Sequence, residues 1–497
     1  MKIKKIMTAA GIVTASVIAL TGCSRLQGPE AKLEESKRDK SYSESMLYVD
    51  SYDMEVSLKP EENSLEASAT AELYNNTGNT LDEIVFRLPS AACLESKGGG
   101  LSWEVTGAYL GSGGTTNLEY TIDPENSGVI RVSLGENKLD QAGSTFVTLA
   151  VKEDIPEEDI RFGHFKAGNH DQYVLSECFP KVVEFRDNNW VINDIDWTGE
   201  KVSADTSFSQ TSDYHVKMTM PDGYYAVGTG GESIGENATT INAVDARDFA
   251  VVASNGIVSA YWTNDNLVLR YYYLEGSKDN ETGQEAVSWR VPTGLDWMED
   301  FIKKYPWNQY DIVTVYSDYD ANSYPGMMVF GDKAVYDGIR GDEVDSMRDF
   351  YKLHLTEHIF DQWFGEIVGC NEATDGWLNK GLRFWFNDYA MANVYGDISE
   401  RAVGETIREM KKKEPAAMEM KLSDKFPDGK TADIVNTYRG AEFLEDLYGA
   451  LGKDEFLKAI SDYVIKYEFK EADSEKFIEV MKAHTGKDIQ ALVDKYF

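Results

Sequence analysis

Cysteine is scarce in this sequence, which has four cysteines among 497 residues: Cys23, Cys93, Cys178 and Cys370. The three that follow Cys23 are far apart, so they form neither a disulfide framework nor the paired spacing of a zinc-binding motif. We therefore predict that these three residues are buried thiols.

Positive charge is also in short supply, with 49 lysines and arginines against 85 aspartates and glutamates and a formal net charge of −36. Nucleic-acid binding requires basic side chains that neutralise phosphates, so the composition excludes nucleic acid as a partner. The hydrophobic content of 42% is nevertheless sufficient for two domains with hydrophobic cores.

Several catalytic signatures are missing. No G-x-S-x-G motif stands at a strand-to-helix turn, and the cysteines lie in no nucleophile motif. The glycines at 98–100 lack the spacing of a phosphate-binding loop. No internal repeat of roughly 20 to 50 residues is evident, which excludes a repeat array.

A long apolar run occurs only at the N-terminus. The run at 9–20 follows a basic start and is too short to span a bilayer comfortably, so residues 1–22 are predicted to be a signal peptide. The run ends in L-T-G-C, which resembles the lipobox of bacterial lipoproteins. By that resemblance Cys23 is lipidated and becomes the mature N-terminus; an ordinary secretion signal is the alternative.

The lipidated Cys23 is followed by a polar stretch up to residue 48, rich in Ser, Glu, Lys and Gln and without apolar periodicity. This composition is typical of a flexible tether. No second apolar run of membrane length follows. We expect the protein to lie on the outer face of the bacterial cytoplasmic membrane and to be held there by lipid alone.

Residues 49–265 are predicted to form the first domain, because apolar and polar residues alternate in short runs separated by Gly- and Asn-rich breaks. The alternating runs lie at 52–58, 65–73, 84–88, 129–134, 146–151 and 216–220, and one more lies just past the boundary, at 267–273. This pattern favours an antiparallel β-sandwich-like domain.

Residues 266–497 are predicted to form a second, mainly helical domain. Helical spacing of apolar residues predicts helices over 289–305 and 343–368, and the run at 310–316 predicts a buried strand between them. The fold class predicted from the whole chain is therefore α+β, with the β domain first.

Two short motifs lie on consecutive predicted helices of the second domain. The sequences Q-W-F-G at 362–365 and W-L-N-K-G at 377–381 resemble the blocks that bracket the active site of aminopeptidase N-type gluzincin metallopeptidases. In that family an H-E-x-x-H helix runs into Q-W-F-G, and a third zinc ligand lies in W-L-N-E-G. The resemblance, which weaker matches extend over residues 50–497, implies a thermolysin-like peptidase domain.

In this register the zinc-binding atoms of the family are replaced. Glu357 and Asp361 take the positions of the two histidines, and His358 takes that of the general base. Lys380, nineteen residues after Asp361, takes the position of the third ligand. A charged lysine has no lone pair to offer a metal, so we expect no zinc cofactor, although the family uses one.

Charge suggests what fills the place of the metal. Lys380, Glu357 and Asp361 together carry one net negative charge and can satisfy one another. We predict that Lys380 lies where the zinc would lie and bridges one or both carboxylates, because breaking such a buried pair leaves an unpaired charge.

Two further family positions concern the substrate. The segment 320–326 resembles the family's edge strand, whose glutamate grips the free amino group of the substrate, but Ser323 stands in its place. Tyr438 matches the tyrosine that stabilises the tetrahedral intermediate. We interpret Ser323, Tyr324 and Tyr438 as residues of a binding cleft, and Tyr438 as an aromatic residue that also holds a helix in place.

His354 and His358 offer a competing pattern, because 354–358 matches the inverted zinc motif H-x-x-E-H with Glu357 as the base. The leading prediction is a catalytically inactive surface lipoprotein whose cleft binds a peptide or a protein. The alternatives are an active metallopeptidase with a rebuilt site at His354 and His358, and a ligand-free scaffold in a membrane complex. An open cleft near Tyr324, Trp385 and Tyr438 would favour binding, and a cleft filled by side chains would favour the scaffold.

Overall fold

The computed structural model describes the chain from residue 35 onward with short gaps. The described residues are 35–126, 128–193, 197, 208–235, 238–264, 267–303, 305–318, 321–338, 343–485 and 488–497. The predicted signal peptide and the predicted lipidation site at Cys23 lie outside them.

The first half of the chain is built from β-strands and one short helix. In chain order these elements are β1 Leu47–Lys59, β2 Ser64–Asn75, β3 Glu83–Arg87, α1 Ser90–Lys97, β4 Trp103–Leu110, β5 Thr116–Asn117, β6 Tyr120–Ile122, β7 Val129–Ser133, β8 Ser144–Asp154, β9 Phe162–Ala167, β10 His170–Leu175, β11 Lys181–Val182, β12 Phe185–Arg186, β13 Asn189–Trp190, β14 Ser212–Thr219, β15 Tyr225–Gly228, β16 Gly231–Gly235, β17 Ala238–Ala246 and β18 Val251–Ser254. The alternating runs of the sequence fall in these strands because every second side chain faces the core.

The strands of this half form an eight-stranded sheet, in the order β16-β17-β14-β1-β2-β8-β4-β5, that shares a core with two four-stranded sheets. In β1 the buried side chains Tyr52, Met54 and Val56 alternate with exposed Asp53 and Glu55. Neighbouring strands of the large sheet are antiparallel, except that β1 and β14 run parallel. The prediction of an antiparallel β-sandwich-like domain is therefore confirmed, except for the one parallel pair of strands.

A five-stranded sheet opens the second half. Its strands are β19 Ile257–Asn264, β20 Leu267–Leu274, β21 Gln309–Val315, β22 Ala321–Tyr324 and β23 Met327–Gly331, in the order β19-β20-β21-β23-β22. Each residue of β21 is buried, as predicted for this run, because the strand is central and parallel to both neighbours. The expected domain boundary at residue 265 falls inside the β19–β20 hairpin, which belongs to a single sheet.

The remainder of the second half is helical. The helices are α2 Asn280–Phe301, α3 Lys333–Asp337, α4 Glu343–Asp361, a π-helix Gln362–Ile367, α5 Glu372–Asp375, α6 Trp377–Asn393, α7 Val403–Lys413, α8 Pro415–Glu419, α9 Gly429–Ile434, a second π-helix Val435–Arg439, α10 Gly440–Leu451, α11 Lys453–Lys466, α12 Ser474–Thr485 and α13 Gln490–Tyr496. Helix α2 begins earlier than predicted because its first turns are polar. None of the helices in the described ranges combines the length and apolarity needed to cross a bilayer.

The prediction for the three later cysteines is confirmed. Cys93, Cys178 and Cys370 are buried thiols and form no disulfide bond within the described residues. Burial raises the pKa of the Cys93 thiol to about 12 and places the pKa of Cys178 well above its ordinary value. The folded chain therefore keeps these two thiols protonated.

The prediction of a flexible tether up to residue 48 is wrong for its last part. Strand β1 begins at Leu47, and the segment before it is attached to the β-sheet. The Arg38 side chain is only 9% exposed and pairs with Asp50 and Asp213. Composition missed this because it does not show which charges pair in the fold, and one of the partners of Arg38, Asp213, is 175 residues away in the sequence.

Candidate functional site

The site lies where the edge strand β22 meets helices α4 and α6. Gln362, directly after α4, fixes the turn that follows β22: its Oε1 accepts from the Gly326 amide at 2.9 Å, and its Nε2 donates to the Tyr324 carbonyl at 3.0 Å. Gln362 is fully buried. The Gln362 side chain therefore helps to hold the edge strand against the end of α4.

The two sequence blocks that define the register contact each other directly. The Asn379 side chain on α6 donates to the Phe364 carbonyl at 2.5 Å, in the π-helix that follows α4. A Cβ atom added at Gly365 would come within 2.7 Å of Asn379 Nδ2. The glycine therefore permits the close approach that brings the ends of α4 and α6 together.

Arg383 lies between the two carboxylates of α4. Its Nε is 3.0 Å from Glu357 Oε1, and its Nη1 is 3.1 Å from Asp361 Oδ2. Glu357 and Asp361 are four residues apart, so both face α6 from the same side of α4. A guanidinium can contact two carboxylates at once because its donors form a planar fork.

The prediction that Lys380 bridges these carboxylates is wrong. Lys380 Nζ instead pairs with Asp433 at 3.0 Å, and the two side chains are 30% and 61% exposed. Lys380 and Arg383 are three residues apart on α6, so both cations face the same region. The longer, forked side chain of Arg383 takes the carboxylates, and Lys380 turns toward the solvent-exposed acid.

Ser323 and His358 complete a hydrogen-bonded cluster with Asp361. Ser323 Oγ is 2.9 Å from His358 Nδ1 and donates to Asp361 Oδ2 at 3.0 Å. The same Nδ1 atom is 2.9 Å from Asp361 Oδ2. A catalytic triad places the hydroxyl and the carboxylate on opposite nitrogens of the imidazole. Here both lie on one nitrogen, so the cluster does not activate Ser323 as a nucleophile.

Electrostatics hold this cluster in its charged form. Burial opposes ionisation of Asp361, but the Arg383 charge and hydrogen bonds from His358 and Ser323 outweigh it and keep the pKa of Asp361 below its ordinary value. Burial likewise opposes the Arg383 charge, yet Asp361 and Glu357 raise the pKa of that guanidinium. Burial and the adjacent His358 lower the pKa of His354. The Asp361–Arg383 pair is therefore ionic at neutral pH.

Comparison with known proteins matches the second half of the chain to a protein family. Residues 291–496 match the Peptidase family M1 domain. This part of the chain is therefore similar to the M1 peptidase domain. The fold of the chain is similar to that of an M1 zinc metallopeptidase mutant from Deinococcus radiodurans, which was solved with a bound Tyr-Ser-Ala substrate. The two structures superpose with a TM-score of 0.62 and 15% sequence identity, and the match covers 91% of this chain and 94% of the Deinococcus chain.

Curated relatives match the chain over less of its length. It is 24% identical over 246 residues to Aminopeptidase 2 of Candida albicans, and this match covers 47% of this chain and 26% of the aminopeptidase. It is 23% identical over 232 residues to Aminopeptidase M1-B of Oryza sativa subsp. japonica, which covers 44% and 26%. The matched region spans about a quarter of these relatives. The two-part α+β fold is that of the M1 metallopeptidases.

The side chains at the ends of α4 and α6 do not fit a zinc ion. Zinc sites use neutral imidazoles, thiolates and free carboxylates. Here the carboxylates of Glu357 and Asp361 are already bound by Arg383, and Lys380 carries a positive charge. In the described ranges, no three His, Cys, Asp or Glu side chains are grouped so that they could hold a metal.

The inverted motif at 354–358 does not form a metal site either. The rings of His354 and His358 are stacked with their centroids 6.4 Å apart. His358 Nδ1 is within hydrogen-bonding distance of both Ser323 and Asp361. Asp361, which could have joined the two histidines as a ligand, is paired with Arg383.

The aromatic residues expected around a cleft differ in exposure. Tyr324 is 3% exposed and Trp385 is fully buried, so both rings belong to the core and do not line an open cleft. Tyr438, in the second π-helix, is half-buried against Phe384. Burial, with smaller contributions from Asp433 and Glu357, raises the pKa of Tyr438. Its hydroxyl has no hydrogen-bond partner among the described residues and is therefore available to a ligand.

Proposed function

We propose that this protein is a catalytically inactive, lipid-anchored relative of M1 aminopeptidases that binds a peptide or protein segment on the outer face of the bacterial cytoplasmic membrane. The observation that carries the proposal is the contact of Arg383 with Glu357 and Asp361. The guanidinium places a permanent positive charge between Glu357 and Asp361, the two residues that stand where the resembled family has its zinc-binding histidines.

The chemistry of these residues supports loss of hydrolysis. A zinc site lowers the pKa of a bound water to about 7, whereas free water stays near its bulk value. Arginine cannot act as a general base at neutral pH. His358, at the position of the base, is engaged by Asp361 and Ser323. None of these side chains can generate a strong nucleophile from water.

Two features support binding. Among the described residues, strand β22 pairs with β23 alone and lies at the edge of its sheet. An edge strand can add an extended peptide through its main-chain groups. The Tyr438 hydroxyl has no hydrogen-bond partner among the described residues, and it is close enough to Glu357 for that carboxylate to contribute to the rise in its pKa. In addition, the similar Deinococcus protein was solved with a Tyr-Ser-Ala substrate, which suggests a short peptide as the first ligand to try.

The proposal is tested with Tyr-Ser-Ala and protein purified after growth with added zinc. We expect zinc well below one ion per chain, no cleavage of the tripeptide, and saturable binding by calorimetry. Replacing Tyr438 with phenylalanine should weaken binding by roughly fivefold, since one hydrogen bond contributes about 1 kcal/mol.

Other outcomes would favour the alternative functions. Stoichiometric zinc with cleavage that disappears in His358→Ala would establish an active metallopeptidase with a rebuilt site. A zinc-free protein that neither cleaves nor binds the tripeptide, and that also fails to bind longer peptides, would favour a scaffold in a membrane complex.

Membrane attachment through Cys23 is tested by fractionation of cells. We expect the full chain to be recovered with the membranes and Cys23→Ser to be recovered in the soluble fraction, because the lipid is the proposed anchor. Cys93→Ser is the matched control and should stay with the membranes. Recovery of Cys23→Ser in the membrane fraction would contradict lipid anchoring at this residue.

A further inference from the structure

The segment that precedes β1 is fastened to the body of the protein by Asp245. One oxygen of this carboxylate accepts from Ser36 Oγ at 2.7 Å. The other oxygen accepts from the backbone amides of Lys37 and Arg38, the latter at 3.1 Å. The Asp245 side chain is 4% exposed. A buried carboxylate with three donors from one segment fixes that segment in place.

Arg38 inserts its side chain into a group of carboxylates on β1, β14 and β17. Nη2 donates to Asp50 Oδ1 at 2.9 Å, and Nη1 donates to the Thr211 carbonyl at 3.1 Å. Nη1 is also 3.4 Å from Asp213 Oδ1. Asp245, which holds the backbone of the segment, lies 3.9 Å from Nε. Without Arg38, three acidic groups would share a largely buried site.

The same segment also reaches the helical half of the molecule. Lys37 Nζ donates to the carbonyl of Pro306, which lies between α2 and β21. A cavity of about 80 Å³ lies between the segment and residues 468–471, which follow α11, and Arg38 and Tyr42 are among its lining residues. Residues 36–42 therefore cross the seam between the two halves.

The seam is ionic where the segment crosses it. Glu471 of the helical half is 3.2 Å from Arg247 Nη1 and 2.5 Å from Arg186 Nη2, both in the β half. Arg247 Nη2 also donates to the Lys470 carbonyl at 3.0 Å. The other end of the seam is apolar, and there Val252 and Val313 belong to one buried cluster that joins the two halves. Between the two ends, the buried Arg270 of β20 lies 3.6 Å from Glu232 of β16. The ionic end can admit water more readily than the apolar end.

We propose that residues 36–42 act as a clamp that closes the ionic end of the seam between the β half and the helical half. Arg38 locks the clamp to the β half, and Lys37 joins it to the helical half. Removal of Arg38 leaves Asp50, Asp213 and Asp245 with a shortage of counter-charge, so the segment detaches. The ion pairs of Glu471 with Arg186 and Arg247 then become exposed to solvent.

The clamp is tested by hydrogen exchange of the full chain carrying Arg38→Gln. Exchange should accelerate about tenfold or more in peptides covering 305–309 and 468–471, because the free energy needed to open this end of the seam decreases. Peptides covering 251–254 and 313–315, at the apolar end, should be unchanged. Lys40→Gln is the matched control. Lys40 contacts Asp50 and Asp213 at 3.1 Å, but it is 35% exposed, and within the described part of the chain it makes no contact across the seam, so little change is expected.

A second variant keeps the test decisive if Arg38→Gln does not fold. Lys37→Met leaves the Arg38 site intact and removes the contact with Pro306. It should accelerate exchange at 305–309 and 468–471 without affecting β1. Acceleration confined to residues 36–50, or equal effects of the Arg38 and Lys40 variants, would overturn the clamp and leave a purely local role for the segment.

Discussion

Replacing Arg383 with glutamine is expected to lower the free energy of unfolding by roughly 3–5 kcal/mol, because removal of one partner leaves buried charge uncompensated. Asp361 is 5% exposed in its side chain and would keep only its hydrogen bonds from His358 and Ser323. Glu357 would lose its ion pair. The measurement is urea-induced unfolding at neutral pH, followed by circular dichroism.

Lys380→Gln is the matched control on the same helix. Lys380 pairs with an exposed carboxylate, so its loss is expected to cost less than about 1 kcal/mol. A loss in Lys380→Gln as large as that in Arg383→Gln would show that Lys380, and not Arg383, compensates the carboxylates of α4.

The effect of Arg383→Gln is also expected to depend on pH. In the native chain the pKa of Asp361 is held below its ordinary value of 3.8, so this group stabilises the fold above that pH and the contribution is lost as the pH falls. In the variant, burial raises the pKa of Asp361, so protonation relieves the unpaired charge. The difference between the two proteins should therefore be largest at neutral pH and should shrink as the solution is acidified.

A second large effect is expected from rebuilding the metal positions of the M1 pattern. The change consists of five substitutions that restore ligands and remove the cation: Glu357→His, His358→Glu, Asp361→His, Lys380→Glu and Arg383→Ala. We expect this variant to hold zinc stoichiometrically after dialysis, because two histidines four residues apart on α4 would face a glutamate on α6. Elemental analysis and the absorption spectrum of the cobalt-substituted protein would measure occupancy and coordination.

The control for this experiment retains Arg383 and carries the other four substitutions. A guanidinium beside the ligands should weaken zinc binding by at least about tenfold, the size of effect seen when groups surrounding a metal site are changed. Equal zinc affinity with and without Arg383 would show that this residue does not exclude the metal. No zinc in either variant would show that α4 and α6 are too far apart to share one.

Much of the fold follows from side-chain alternation in the sequence. Tyr52, Met54 and Val56 indicated β1 because a strand with one face on a core must place apolar residues at every second position. The buried strand β21 was visible for a different reason: a central strand with parallel neighbours is covered on both faces and reads as an apolar run.

The sequence was less informative about which side chain fills the site. The blocks at 362–365 and 377–381 gave the register, and the contact between Asn379 and Phe364 explains why they occur together. The register directed attention to Lys380, because that position corresponds to a ligand. Arg383 corresponds to none, and only its length and its helical face could have identified it as the partner of both carboxylates.

The three buried thiols have a consequence for a chain proposed to lie outside the cytoplasm. Oxidants and alkylating agents react with the thiolate, and burial of Cys93, Cys178 and Cys370 withholds the sulfur atoms from solvent. Burial also suppresses ionisation at Cys93 and Cys178. The rate of oxidative damage at these positions is therefore governed by how often the fold opens, and not by how much oxidant surrounds it.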